Sequence, residues 1–301
     1  MVTAGFDEHP AVARRRVRLA LRRARQGTDL SQGDVAGRLG WSLSKVQRIE
    51  SGEVAVSPID LKALTDMYGC FSAEEFEELA EDSRRARRER WWTAPEYRDH
   101  LTPATIKLMG FEAQAVRIRV YQPVLVPGVL QTPAVAEHIL RYWSEGPPGK
   151  REEVRLRVRM QRREMVIDRA GAPGYDLLLD ESVLLRDVGG VRLAAEQMEH
   201  LAAQANKPDV HVRIIPLTEG ALLGHLGPFM ILDQDEKDQD DAVMYREYWV
   251  ADEIIDDHRT VRTHRQYFRK MWDSALTEEV SLRVIAAKAA ELRSRVDRMP
   301  D

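Results

Sequence analysis

The chain has 301 residues, 44% of them apolar and 31% charged, a net charge of −4 and a single cysteine, Cys70. That length suggests two domains with cores large enough to fold without covalent staples, and the lone cysteine excludes an intrachain disulfide and a thiolate metal cluster. No run of about 18 apolar residues occurs and the N-terminus lacks a signal-like stretch, so a cytoplasmic location without a membrane partner is expected.

Residues 1–10 show no periodicity and read as a frayed lead. A first helix is expected from Val12 to Arg25. Val17, Leu21 and Ala24 line one face, and Arg14, Arg15, Arg16, Arg18, Arg22 and Arg23 fill the rest as a solvated surface. From Ser31 to Gly52 the apolar residues Val35, Ala36 and Leu39 recur at helical spacing. They resume at Val46 and Ile49 after the break Gly40-Trp41, which makes two short helices with a tight turn. Ser42 is a good N-cap for the second, and Gly52 can end it in a left-handed conformation. With Val46 and Ile49 inward, Ser44, Lys45, Gln47, Arg48 and Ser51 face outward, a polar and basic surface able to meet base edges or phosphates. Between Ala11 and Glu50 ten Lys or Arg stand against Asp29, Asp34 and Glu50, a balance of +7 that leaves −11 for the remainder. A basic head on an acidic body suits a nucleic-acid footprint.

The run Gln32, Val35-Ala36, Leu39-Gly40, Ser42, Val46 and Ile49-Glu50-Ser51-Gly52 resembles the helix-turn-helix of lambda repressor and Cro type regulators, the XRE family. The resemblance implies that the second helix enters the major groove of double-stranded DNA, with Leu43, Ser44, Lys45 and Arg48 near base edges and Gln32 on a phosphate. Ser42 and Gln47 complete the expected DNA-facing set. It also implies that Arg25 pairs with Glu50 to tie the first helix to the third, a structural role.

Ser57-Pro58 then starts a fourth helix through Leu61, Leu64 and Met67 or Tyr68, with Asp60 at capping-box-like spacing and Gly69 at its end. Ser72 starts a fifth through Phe76 and Leu79. Five short helices over residues 10–80 form the expected lambda-repressor-like domain, followed by a charged linker helix over 81–95 that includes Trp91-Trp92.

Residues 96–301 read as an α+β domain. Strands are expected at Val116–Val120, Tyr175–Leu179, Val210–Ile215, Phe229–Leu232 and Ala242–Tyr248. Helices are expected at Pro133–Trp143, Arg151–Arg169, Val191–Ala205, Asp252–Trp272 and Ser281–Val296. The segment from Tyr121 to Thr132, YQPVLVPGVLQT, is similar to a signature Y-x-P-x-x-V-P-G-L-L-Q-T that follows the helix-turn-helix in a large group of actinobacterial regulators, some likened to antitoxins. Asp180-Glu181, Val188-Gly189-Gly190, Gln197, His200 and Gly227-Pro228-Phe229 fit the same group, and Val129 replaces the usual leucine. That resemblance carries over no functional residue.

Within this domain the loop with Gly224, His225 and Gly227 is a candidate for a ligand or partner surface. His225 and Asp233 do not complete a phospholipase D motif, because Gly227 stands where lysine is required. The acidic stretch Asp233–Asp241 lacks the glycine and glutamate spacing of a calcium loop and reads as a solvated hairpin. His258 and His264 lie six apart and share no helix face. No metal site, cofactor or catalytic set is expected, so the protein reads as a non-enzyme. The expected function is a sequence-specific DNA-binding transcriptional regulator, a homodimer whose C-terminal domain senses a small ligand or a small partner protein. The alternative is an antitoxin-like adaptor that binds a small cognate protein and uses DNA binding for autoregulation.

Overall fold

Pro10 is already the first residue of helix α1 (Pro10–Gly27), so the expected irregular lead does not extend that far. The computed structural model describes residues 10–87, 91–144, 149–222, 227–236, 241–247 and 252–299, and the chain divides into two units, Met1–Trp91 and Trp92–Asp301.

In the first unit α1 is followed by α2 (Gln32–Leu39), α3 (Leu43–Glu50), α4 (Pro58–Tyr68) and α5 (Ala73–Arg85). Their apolar stripes meet in one core that includes Val17, Leu21, Val35, Val46, Ile49, Leu61 and Leu64. Residues 81–85 are the last turns of α5 rather than a separate linker helix, because Asp82 and Ser83 are buried and bonded within this unit. Arg16 grips Asp82 with two bonds of 2.7 and 2.6 Å, and the Ser83 hydroxyl donates to the Val56 carbonyl at 2.7 Å. The same contacts correct the reading of α1. Arg14 and Arg18 are buried, and Arg14 donates to the Ala86 carbonyl, so part of its arginine surface faces protein.

A single turn at Trp91–Thr93 spans the boundary between the units, and its Trp92, the first residue of the second unit, is buried. Two helices absent from the sequence reading follow, α6 (Pro95–Arg98) and α7 (Pro103–Glu112). The remaining elements are β1 (Arg117–Gln122), α8 (Pro133–Tyr142), α9 (Lys150–Arg163), β2 (Gly174–Asp180), α10 (Val191–Gln204), β3 (Val210–Ile215), β4 (Phe229–Asp233), β5 (Ala242–Arg246), β6 (Glu253–Ile255), α11 (His258–Ser274) and α12 (Glu278–Asp297). The α-helical part of α9 stops at Arg163 and gives way to a π turn over Glu164–Asp168.

The six strands form one mixed sheet in the order β3-β2-β1-β4-β5-β6. β1, β2 and β3 are parallel, while β4, β5 and β6 pair antiparallel. Central β2 is buried along nearly its whole length, as expected of a parallel strand covered on both faces. On one face Tyr121, Leu178, Phe229, Ile231 and Met244 pack under Val261, Phe268 and Met271 of α11. The alternate residues Ile118, Val120, Leu177 and Leu179 lie on the other face, also buried.

The helix expected from Asp252 begins only at His258, where the Asp257 carboxylate accepts from the Thr260 amide at 2.8 Å. Residues 253–255 instead pair with β5, Ile255 opposite Met244. The stretch from Asp233 is not simply a solvated loop: Asp233 ends β4, is buried, and is gripped by both Arg119 and Arg265. Asp235 and Asp241 are also buried, and residues 237–240 lie outside the described set. At the far edge of the sheet, the Leu276 amide donates to the Ile214 carbonyl at 2.9 Å and the Ile214 amide donates to the Ser281 hydroxyl at 3.0 Å.

Candidate nucleic-acid interface

The turn between α2 and α3 follows from local chemistry. Ser31 caps α2 in a closed box: its hydroxyl accepts from the Asp34 amide at 3.1 Å, and its own amide donates to the Asp34 carboxylate at 2.9 Å. The Ser31 hydroxyl also lies within donating distance of that carboxylate, at 2.6 Å, and this bond, followed by the one from the Ser31 amide, holds the exposed Asp34 carboxyl below its ordinary range. Gly40 ends α2 at φ +64°, a conformation that glycine adopts without strain, and the Trp41 amide closes the turn on the Ala36 carbonyl at 2.8 Å. Ser42 then caps α3 by accepting from the Lys45 amide at 3.2 Å. Past the last turn of α3, Gly52 sits at φ +73°.

Val46, Ile49 and Glu50 are the buried side of α3, which leaves Ser42, Leu43, Ser44, Gln47 and Arg48 exposed. Ser44, Gln47 and Arg48 are three and four apart and share one outward face. Leu43 is 47% exposed at the N-terminus of the helix. Among the described residues Arg48 approaches Glu53 alone, at 3.7 Å between two exposed side chains, a contact too weak to hold it.

Lys45 and Gln32 differ from the rest of the expected set because protein already holds them. The Lys45 ammonium donates to Asp60 at 2.7 Å and lies 3.7 Å from the centre of the Trp41 ring, so two elements share one cation. Gln32 donates its amide to Glu50 at 2.8 Å. Glu50 is buried and fully engaged: Arg25 meets it with bonds of 2.6 and 3.0 Å and also donates to the Leu30 carbonyl at 2.6 Å. The bond to Glu50 raises the Arg25 pKa further, against the opposing effect of burial. The carboxylate thereby joins α1, the start of α2 and the end of α3, with each oxygen satisfied, which offsets the cost of burying it. The role of Asp60 was not visible as such in sequence, where it reads only as a first-turn residue of α4.

In the second unit, Gly224 and His225 lie outside the described residues. Gly227 is exposed, with open space around it. His264 accepts from Arg246 at 2.6 Å on one ring nitrogen, and the other lies 2.8 Å from the Thr260 carbonyl. Among the described residues no three His, Cys, Asp or Glu side chains are grouped as metal ligands, and no helix is long and apolar enough to cross a membrane.

Comparison with known families matches residues 17–79 to a helix-turn-helix domain and residues 105–287 to a domain of unknown function, DUF5753. The second match spans more than half of the chain. The protein belongs to the DUF5753 family. No curated protein and no solved structure matches it.

Inside the DUF5753 domain the segment from Tyr121 to Thr132 earns its residues one by one. Gly128 faces the Arg159 guanidinium, which would lie 3.1 Å from any added Cβ. Gln131 folds back to donate to the Val126 carbonyl at 2.7 Å and accepts from Arg159 at 2.7 Å. Thr132 caps α8, and its amide donates to Gln197 at 2.9 Å while Gln197 donates to the Leu130 carbonyl at 2.9 Å. The turn and α10 together frame a small recess walled by Val126, Val135, Ile139, Val183 and Met198.

Proposed function

We propose that this DUF5753 protein is a sequence-specific, DNA-binding transcriptional regulator of the lambda repressor and Cro (XRE) type. It acts in the cytoplasm as a homodimer, and its C-terminal domain senses a small ligand or a small partner protein. The observation that supports the reading best is the exposed face of Ser44, Gln47 and Arg48 on a helix capped at its start and braced from behind by the Glu50 network. Gln47 and Arg48 have the donor and acceptor geometry to read purine edges in a major groove. Lys45 stands at the flank, and its release from Asp60 toward a phosphate would exchange one anion for another at little net cost. A single short helix covers few base pairs, so two copies on paired half-sites supply the affinity.

DNase footprinting on genomic fragments selected by the tagged protein tests this. Arg48→Ala is expected to lower operator affinity by about 1 to 3 kcal/mol, the cost of one bidentate base contact. Lys45→Ala with Arg48→Ala is expected to abolish the selective footprint. An unchanged footprint in the double variant overturns the reading. No catalysis or cofactor belongs to this function, and hydrolysis of nucleic acid or esters by the pure chain would contradict it.

One observation favours the adaptor reading as well. Val124, Leu185 and Leu217 are 46%, 60% and 53% exposed, and they follow the carboxyl ends of β1, β2 and β3. Neighbouring bonds from Ser182 to the Pro123 carbonyl and from the Leu217 amide to Glu181 gather these segments at one edge. A small protein that co-purifies with the wild type and is lost from a Leu185→Asp, Leu217→Asp variant would make partner binding the main role.

A further inference from the structure

We infer that α9 carries an oxyanion site: the guanidinium groups of Arg155 and Arg159, beside the Gly128 turn, take the carboxylate or phosphate group of a small molecule. This gives the sensing role proposed above a ligand class and a location.

The arginines of α9 differ in their partners along the helix. Arg162 is tied to the buried Glu112 by bonds of 2.6 and 2.9 Å, and Arg163 to Asp168 at 3.0 Å. One turn earlier the pattern stops. Arg159 makes a single hydrogen bond, to the neutral amide of Gln131, and Arg155 makes none among the described residues. Both are only partly exposed, and a spacing of four puts them on one face of the helix. Glu247 and Asp252 attract Arg159 and Arg155 from a distance without forming an ion pair.

Two cations one helical turn apart and partly out of water, with no carboxylate in contact among the described residues, are an unfavourable arrangement for the empty protein. Burial, followed by repulsion from Arg162, pulls the Arg159 pKa down to about 10, and burial followed by Arg151 lowers that of Arg155. Gly128 bears on the same point. A side chain there would crowd the Arg159 guanidinium, which would lie 3.1 Å from an added Cβ, so glycine leaves that group its place beside the turn. Planar guanidinium forks suit an oxyanion better than any neutral ligand.

The test uses the full chain and inorganic phosphate, titrated calorimetrically in chloride at fixed ionic strength, with acetate in a parallel arm to distinguish phosphate from carboxylate preference. Saturable binding of either anion is expected. It should weaken roughly tenfold or more in Arg155→Gln, the loss of charge-assisted hydrogen bonds, and persist in Lys45→Ala with Arg48→Ala, which removes the DNA-facing cations. Hydrogen exchange should slow in peptides covering residues 126–132 and 150–163. Where circular dichroism shows Arg155→Gln unfolded, Arg155→Lys replaces it, since lysine keeps the charge and loses the fork. Absence of saturable binding to either anion, or affinity unchanged by the Arg155 variant, overturns the site. Saturable binding that leaves the operator footprint unaltered keeps the site and rejects its coupling to DNA.

Discussion

Helices α1 and α9 carry arginine at similar density, seven of 18 residues and six of 14, yet they use it differently. In α1 the side chains turn into the protein: Arg14 meets a backbone carbonyl, Arg16 meets Asp82 and Arg25 meets Glu50. In α9 the last turn is neutralised by Glu112 and Asp168, while the middle turn keeps Arg155 and Arg159 without a contacting carboxylate among the described residues. Arginine count therefore does not locate an electropositive surface; the inventory of partners does. The same lesson applies to the +7 balance of residues 11–50, because Asp60, Asp82 and Glu53 outside that window sit against Lys45, Arg16 and Arg48.

The contrast breaks most readily at Glu112. Glu112→Ala strands the Arg162 charge, which burial alone would push down in pKa and which Glu112 holds up, and is expected to destabilise the DUF5753 domain by about 3 to 5 kcal/mol. Urea unfolding followed by tryptophan fluorescence measures it, and a loss below about 1 kcal/mol would show the pair to be ornamental.

Asp82→Ala removes a pair whose arginine is 43% exposed, so screening limits the expected loss to about 1 kcal/mol in the same measurement. A smaller effect is expected with pH. Burial, as the leading cause, lowers the pKa of His200 and His264 below the ordinary 6.5. Below that value the unfolded chain binds protons that the native histidines refuse, so stability falls as pH drops through the ordinary imidazole range. It levels off once the native groups protonate as well. Unfolding midpoints at about pH 7.5 and 5.5 should differ in the wild type, and converge when both histidines become glutamine.

The smallest effect sharpens the comparison from the opposite side. Arg155→Leu relieves like-charge repulsion while keeping a helix former, so stability in anion-free buffer should change by less than about 0.5 kcal/mol or rise. A clear loss would mean that Arg155 has a structural partner.

Much of the fold was legible because it rests on short-range patterns. Alternation located β1, and the apolar runs of β2, β3 and β4 lie within a residue or two of their observed bounds. β6 was missed because three residues, Glu253-Ile254-Ile255, hold too little pattern to separate from the helix that follows. The cap, turn and outward face of α3 could be read from Gly40, Ser42, Val46 and Ile49. The tether on Lys45 could not, since Asp60 is fifteen residues away and sequence assigns it to another helix. Asp233 failed for a related reason: its composition suggested a wet loop, while its two arginine partners lie 114 and 32 residues distant.

The stitching of Leu276 and Ser281 onto Ile214 has a consequence for assembly. A sheet with a bare rim invites another chain to lengthen it, but here the β3 rim is occupied over that stretch by the protein's own polypeptide. Continuous cross-subunit pairing there would require peeling away the junction between α11 and α12. The fold thereby guards one flank of the sheet against indefinite stacking.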